Sequence, residues 1–264
     1  MQTQTASPTT LRYTDLKTLY KKLYFMGFNN KCPMCKANLR KFIAFGFDFP
    51  VLQEQQVIGA GRREHAQCPI CFSLDRERMI YLYLKKYTDV FERPQSILHV
   101  APEYATKRVL EQQAHLDYTS ADMEQKWGVK VQMDITKIQF PDETFDKIIC
   151  NHVLEHVPDD RLAMSEFYRT MKPGGMAVLQ VPLSLTLDET YEDFSITSAS
   201  GREQEFGQSD HVRIYAKDYK DRLESVGFEV EVFDWKNDRD YFGGANNKYS
   251  LVVEEDLYIA RKPL

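Results

Sequence analysis

Four cysteines in two matching spacings, "CPMC" (Cys32, Cys35) and "CPIC" (Cys68, Cys71), form the sharpest chemical pattern in the chain. A tight turn through Pro33 or Pro69 aims two thiolates at one point. One such knuckle supplies half a tetrahedron, and the second completes a four-thiolate zinc site. Disulfides are the alternative, disfavoured in a reducing compartment. Thioredoxin-type redox chemistry is another, but it expects one C-x-x-C at a helix start within its own βαβ unit. The metal's expected task is to fold a small module, since roughly 40 residues bury too little apolar surface alone. Cys150, the fifth cysteine, ends an apolar strand and reads as core.

A second set of chemically capable residues sits where apolar runs end. Ala101-Pro102-Glu103 follows "SILHV", Asp122 closes "DYTSAD", Asp134-Ile135 follows "VKVQM", and Asn151-His152 follows "FDKIIC". Asp122 stands 19 residues beyond Glu103, a place that suits a carboxylate holding two ribose hydroxyls. Asp134 can accept from an adenine amino group while Ile135 packs on its ring. The "HVLEH" run puts His152 and His156 four apart. It superficially resembles H-E-x-x-H, but its Glu follows a different logic and no metal is expected there. His152 reads as the active-site group and His156 as a partner at a helix start.

A third concentration is "EFGQSDHVRIYAKDY", residues 205–219, with Gln208, Asp210, His211, Arg213 and Tyr215 together. Asp210 could orient His211 as a base. Arg213 could clamp a carboxylate or phosphate of a bound acceptor. A salt-bridged surface lid without chemistry explains the same residues equally well.

The elements that must hold these groups alternate along the chain. "SILHVA" is a strand and "YATKRVLEQQA" a helix; "DYTSADM", "VKVQMDI" and "FDKIICN" are strands. "DDRLAMSEFYRTM" is a helix capped by Asp159 or Asp160, "KPGG" a turn, and "MAVLQVP" a strand. This order implies an α/β fold with a parallel sheet and helices on both faces, with ligands beyond the strands' carboxyl ends. "AKDYKDRLESVGF" adds a helix, and "EVEVFDW" and "DLYIARK" two more strands. Residues 1–30 hold a disordered tail and a helix, 31–72 the cysteine module with strand-like "FIAFGF" and "VLQEQQVIG", and 73–93 a linking helix. Residues 94–264 form the main domain, interrupted by a mobile, lid-like polar insertion at 184–214.

At 264 residues, 43% hydrophobic and 28% charged, the chain suits one large domain and a small one. No apolar run approaches the roughly 20 residues a membrane span needs. The polar "MQTQTASPTTLRYTD" has no apolar signal core, so a cytoplasmic location is expected. Residues 1–90 carry 14 Lys+Arg against 7 Asp+Glu, and 91–264 carry 20 against 32. A basic front end could meet an anionic partner or simply be solvated.

"SADM", "MDIT", "FPDETFDKIICNHVLEHVPDD" and "MKPGG" resemble the class I S-adenosylmethionine-dependent methyltransferases, in their type 11 branch, over roughly 94–264. "CPICFSLDRERMIYLYLKK", "LHVAPE" and "FGQSDHVRIY" are similar to a bacterial subgroup with an N-terminal C-x-x-C module. The resemblance implies a seven-stranded Rossmann-like sheet whose last strand, "DLYIARK", runs antiparallel. It also implies S-adenosylmethionine as cofactor, held near His99, Ala101, Pro102, Glu103, Asp122, Met123, Asp134, Ile135, Asn151 and His152. The family's first motif is an acid followed by G-x-G-x-G. Here His99 replaces the acid, and Ala101 and Glu103 replace the first two glycines. Glu103 would repel a pyrophosphate but attract the ammonium of a phosphate-free cofactor; alternatively it only complements a helix N-terminus. Pro102 is expected as the first helical residue. The implied acceptor is a polar small molecule, saccharide or peptide. RNA docked on the zinc module, or S-adenosylmethionine binding without catalysis, remain as alternatives.

Overall fold

A computed structural model describes residues 13–125 and 128–264; the start of the expected disordered tail lies outside the described residues. Seven strands form the main sheet: β1 (Gln95–Val100), β2 (Leu116–Asp122), β3 (Val131–Gln132), β4 (Phe145–Asn151), β5 (Met171–Gln180), β6 (Glu229–Phe233) and β7 (Leu257–Arg261). Their order across the sheet is β3-β2-β1-β4-β5-β7-β6. The first five pair in parallel, whereas β7 runs antiparallel to both β5 and β6. The chain's direction across the sheet reverses between β1 and β4, which opens a crevice at their carboxyl ends.

The period of two along each strand feeds two separate cores. Leu98, Val100, Ile148, Cys150, Ala177 and Leu179 face one side. There they meet Ala163, Met164 and Phe167 of α5 (Asp160–Thr170) and Tyr219 and Leu223 of α7 (Tyr219–Glu224). Ile97, Ile149, Met176 and Val178 face the other side, against Met79, Ile80 and Tyr83 of α3 (Asp75–Tyr87) and Leu110 of α4 (Tyr104–Glu111). Asp159 caps α5, its carboxylate accepting from Leu162 N at 3.0 Å. The expected "KPGG" turn is instead part of β5, whose register slips between Met171 and Met176 with Gly174 at φ 72°. This is a bulge, for which a left-handed glycine is the low-strain solution.

The N-terminal segment opens with α1 (Tyr13–Phe25), followed by short strand pairs, Met26–Lys31 with Asn38–Leu39 and Ile43–Phe45 with Arg63–Gln67. The strand expected in "VLQEQQVIG" is largely a helix, α2 (Pro50–Glu54), because Pro50 presets the first helical position; only Val57–Ile58 extends. The polar 184–214 insertion is not loose. Leu183–Ser184 pairs with Val57–Ile58, and Tyr191–Glu192 pairs with Arg213–Ile214. Its helix α6 (Ala199–Phe206) runs from a Ser198 cap to Gly207 at φ 79°. Phe206 and Ile214 pack on Leu52 and Val57, fastening the insertion to the N-terminal module. Among the described residues no helix is long and apolar enough to cross a membrane.

Candidate functional site

The bend after β1 answers how a glycine-free loop can still face a ligand. Ala101 adopts φ 42°, the left-handed conformation a glycine would take without strain, and its N–H donates to Ala121 O at 2.7 Å. Pro102 precedes the helix rather than starting it: Glu103 is the cap of α4, with φ −69° and ψ 142°. The Glu103 side chain does not cap. Its Oε1 accepts from Arg76 Nε at 2.9 Å, Arg76 Nη2 lies 2.8 Å from it, and Oε2 accepts from Asn151 Nδ2. Arg76 comes from α3 and also reaches the carbonyl of Gly59. The β1 and β4 ends are thus joined through one carboxylate that is already matched by a cation. Asn151 is buried, and among the described residues its Oδ1 has no hydrogen-bond partner.

The other strand ends are more varied. Asp122 is buried at the end of β2, and its Oδ1 accepts from Glu124 N at 3.0 Å. Met123 beside it is exposed. Asp134 Oδ1 accepts from the N–H and hydroxyl of Thr136, an Asx turn that shapes the loop after β3. Ile135 packs into the α5-side core rather than standing open at the loop surface. His99 is a buried β1 residue whose Nδ1 lies 2.8 Å from Tyr118 Oη; burial pushes its pKa down to about 3.

His152 continues from β4 at φ 56°, with its N–H bonded to Gln180 O. Its Nδ1 is 3.5 Å from Glu155 Oε1, its Nε2 is buried without a partner among the described residues, and burial holds the ring well below the usual histidine range. Gly59 lies directly above it. A Cβ there would come within 3.0 Å of His152 Cε1. The turn Leu154–His156 follows, so His156 is indeed at the approach to a helix.

The third group is arranged differently from its sequence reading. Asp210 does not orient His211; its Oδ2 lies 3.2 Å from His156 Nδ1. His211 instead meets the His156 ring edge to face, with centroids 4.6 Å apart. Arg213 is not an acceptor clamp. Its side chain is fully buried and bonded to Glu192 Oε2 (2.9 Å) and to the carbonyls of Leu154 (2.8 Å), Val157 and Pro158 (2.9 Å). A loop rich in carbonyls, wedged under the insertion, needs a five-donor fork, and Arg213 supplies it. Tyr215 is likewise structural, its hydroxyl donating to Asp160 Oδ2 at 2.7 Å. Sequence reasoning missed Arg76, Gly59 and Glu192: Arg76 sits in the quoted "CPICFSLDRERMIYLYLKK" stretch with nothing there to mark its role, and Gly59 and Glu192 lie in no recognisable local motif.

The four cysteines converge. Cys32 Sγ is 3.6 Å from Cys71 Sγ and Cys35 Sγ 3.8 Å from Cys68 Sγ. Thiolates around a tetrahedral ion with bonds near 2.3 Å stand about 3.8 Å apart, so these two separations match a metal site. The knuckles are built alike: Lys36 and Phe72 both take left-handed φ, and their N–H groups return to Cys32 O and Cys68 O. Fully buried Arg78 of α3 ties this cluster to the rest, donating to Ser73 O, Ala66 O, Tyr249 O and Ser250 O.

Comparison with known proteins finds likenesses over part of the chain. Residues 99–179 match the family model described as a methyltransferase domain. A sterol 24-C-methyltransferase of Eremothecium gossypii is 32% identical over 111 residues, 42% of this chain and 29% of that protein. A demethylmenaquinone methyltransferase of Streptomyces avermitilis is 46% identical over 46 residues, covering 17% and 20% of the two chains. The chain thus spans less than a third of the length of these curated relatives. Among solved structures, a SAM-dependent methyltransferase from Archaeoglobus fulgidus aligns with 70% of this chain and 94% of its own, at 16% identity and a TM-score of 0.44. The matched segment runs from His99 in β1 to Leu179 in β5 and so takes in the strand ends at the strand-order reversal; over that segment the chain is similar to methyltransferase domains.

Proposed function

We propose that the protein transfers a methyl group from S-adenosylmethionine to a polar small molecule, saccharide or peptide. The observation that carries this reading is the interlocked trio Glu103, Arg76 and Asn151 at the β1/β4 reversal, with a buried Asn151 oxygen still to be satisfied. A methionine moiety is a zwitterion. Glu103 meets its ammonium, Arg76 its carboxylate, and Asn151 Oδ1 accepts a further N–H. Asp122, at the end of β2, holds the ribose.

The bound cofactor supplies a methyl group on a sulfonium, which an acceptor lone pair displaces in line with loss of a neutral thioether. The chain's work is therefore alignment and exclusion of water. Gly59 packs on His152, whose imidazole, held neutral by burial, accepts a hydrogen bond from the acceptor.

A cavity of about 1020 Å³ lies between α2 and the 184–214 segment, lined by Phe49, Gln55, Glu54, Glu189, Glu203 and Glu205 among others. None of its lining residues belongs to the β1/β4 crevice; its carboxylates oppose a phosphate backbone, which weighs against RNA docking there despite the basic front end. The ion that suits the cysteine cluster is zinc, in a structural role, and free thiols at such a site fit a cytoplasmic setting.

Titration calorimetry with S-adenosylmethionine, followed by assay of S-adenosylhomocysteine release over a panel of amines, sugars and peptides, tests the reading. Saturable binding with acceptor-dependent release supports it. Binding without release from any acceptor would leave a cofactor-binding protein, and absence of binding would remove the proposal altogether.

A further inference from the structure

A second group of metal-type ligands lies outside the cysteine module, where the insertion meets the turn after β4. Glu155 and His156 sit on the turn Leu154–His156, and His211 sits in the insertion. One ligand atom from each lies within 4.8 Å of the others. The two segments are held together independently of any ion. Val212 N–H donates to Glu155 O at 3.0 Å, and Arg213 bonds the carbonyls of Leu154, Val157 and Pro158.

Glu155 itself is the anomaly. It is 1% exposed, and among the described residues neither carboxylate oxygen has a hydrogen-bond partner beyond the approach of its own backbone N–H. A buried carboxylate without donors is costly, and natural structures rarely leave one so. Its nearest cationic candidates are imidazoles, His152 Nδ1 at 3.5 Å and His156 Nε2 at 4.0 Å. His152 Nε2 is a second buried, unpartnered atom in the same place.

The histidines are also set up as ligands. His156 turns Nδ1 to Asp210, 3.2 Å away, and therefore presents Nε2 to Glu155. The His211 ring packs edge to face on His156, with centroids 4.6 Å apart. A carboxylate holding the far nitrogen is the arrangement that orients metal-binding imidazoles. The distractor in the sequence was the His152/His156 spacing; the structure instead pairs His156 with His211, 55 positions later in the chain.

We propose that Glu155, His156 and His211 bind a divalent transition-metal ion, one carboxylate and two imidazoles on one side with further positions open. Bonds near 2.1 Å place neighbouring ligand atoms about 3.0–3.4 Å apart, so atoms now within 4.8 Å of one another need to close by up to roughly 1.5 Å. His156, the least buried of them, can supply most of that movement. Zinc, manganese, iron and cobalt suit such a donor set. The ion ties the insertion to the strand end beside His152. On the methyltransferase reading, its open positions would polarise an acceptor oxygen there.

The test is metal content of the full chain after equilibration with zinc and removal of excess, read by elemental mass spectrometry. Wild type should hold about two ions per chain, one in the cysteine cluster, and Glu155→Gln and His211→Ala about one. Glu155→Gln keeps the side chain's shape, and matched circular dichroism confirms its fold. One ion per chain in wild type, or two retained in both variants, overturns the proposal. Titration of S-adenosylmethionine into the same samples keeps the readings apart: unchanged cofactor affinity in Glu155→Gln with one ion lost supports the metal site, whatever the acceptor proves to be.

Discussion

Arg76 lies 2.8 Å from Glu103, so the carboxylate in the glycine-free bend is matched by a guanidinium from a helix 27 residues earlier. Both side chains are largely buried, and Asn151 locks the second oxygen. The pair can open to a zwitterion at little cost, exchanging one set of charge-assisted bonds for another. Charge-assisted hydrogen bonds contribute about 1.5–3 kcal/mol, so Glu103→Gln and Arg76→Met should each weaken S-adenosylmethionine binding roughly ten- to hundredfold. Because the residues touch, the double variant should lose less than the sum. Calorimetry decides: an affinity unchanged in Glu103→Gln would remove Glu103 from the cofactor site.

What the sequence disclosed and what it hid follow from range. Ile97 and Leu98 feed opposite cores because strand periodicity is local, and Asp159 caps α5 because capping is local. The cysteine knuckles were equally legible, each closing within six residues. The Arg76–Glu103 pair and the roles of Asp210, His211 and Arg213 were not. Each depends on which segments the fold brings together, and Asp210 beside His211 in sequence turns to His156 in space. The left-handed Ala101 was hidden for another reason: nothing in an alanine announces a glycine's conformation.

The cysteine cluster anchors more than its own turns. Arg78 carries the link from Ser73 O to Tyr249 O, and Arg76 follows Cys71 by five positions. Removing the ion with a strong chelator, or Cys68→Ser, should therefore lower the unfolding temperature and also weaken cofactor binding through misplaced Arg76. Thermal unfolding and calorimetry on the same samples read both. A chelated protein with unaltered melting would show that the cluster does not need metal.

His99 gives a pH dependence with a defined sign. Burial, then the nearby Lys107 charge, lowers its pKa from 6.5 to about 3, so the unfolded chain takes up a proton that the folded chain refuses. Stability from this group is complete above pH 6.5 and is lost as pH falls toward 3. His99→Gln, which can keep a bond to Tyr118, should flatten that limb. Urea midpoints measured from pH 7 to pH 4 for both proteins isolate the difference. Parallel curves would mean that His99 titrates normally.

Arg213 separates a latch from a clamp. Its guanidinium is buried against Glu192 and three carbonyls of the 154–158 loop, and Arg222 adds a second bond to Glu192 at 3.2 Å. Truncating one partner of a buried ion pair costs about 3–5 kcal/mol, because the orphaned groups cannot reach water. Arg213→Ala should lower the unfolding temperature by roughly 10 °C, at 2–4 °C per kcal/mol for a chain of this size. It should also expose the 184–210 segment to limited proteolysis. Arg213→Lys should recover little, since a point charge cannot bond four acceptors arranged around a planar fork. An acceptor clamp predicts the opposite pattern: an elevated KM for acceptor, normal melting, and partial rescue by lysine. Melting and proteolysis of these two variants, measured before any acceptor is known, therefore settle which task Arg213 performs.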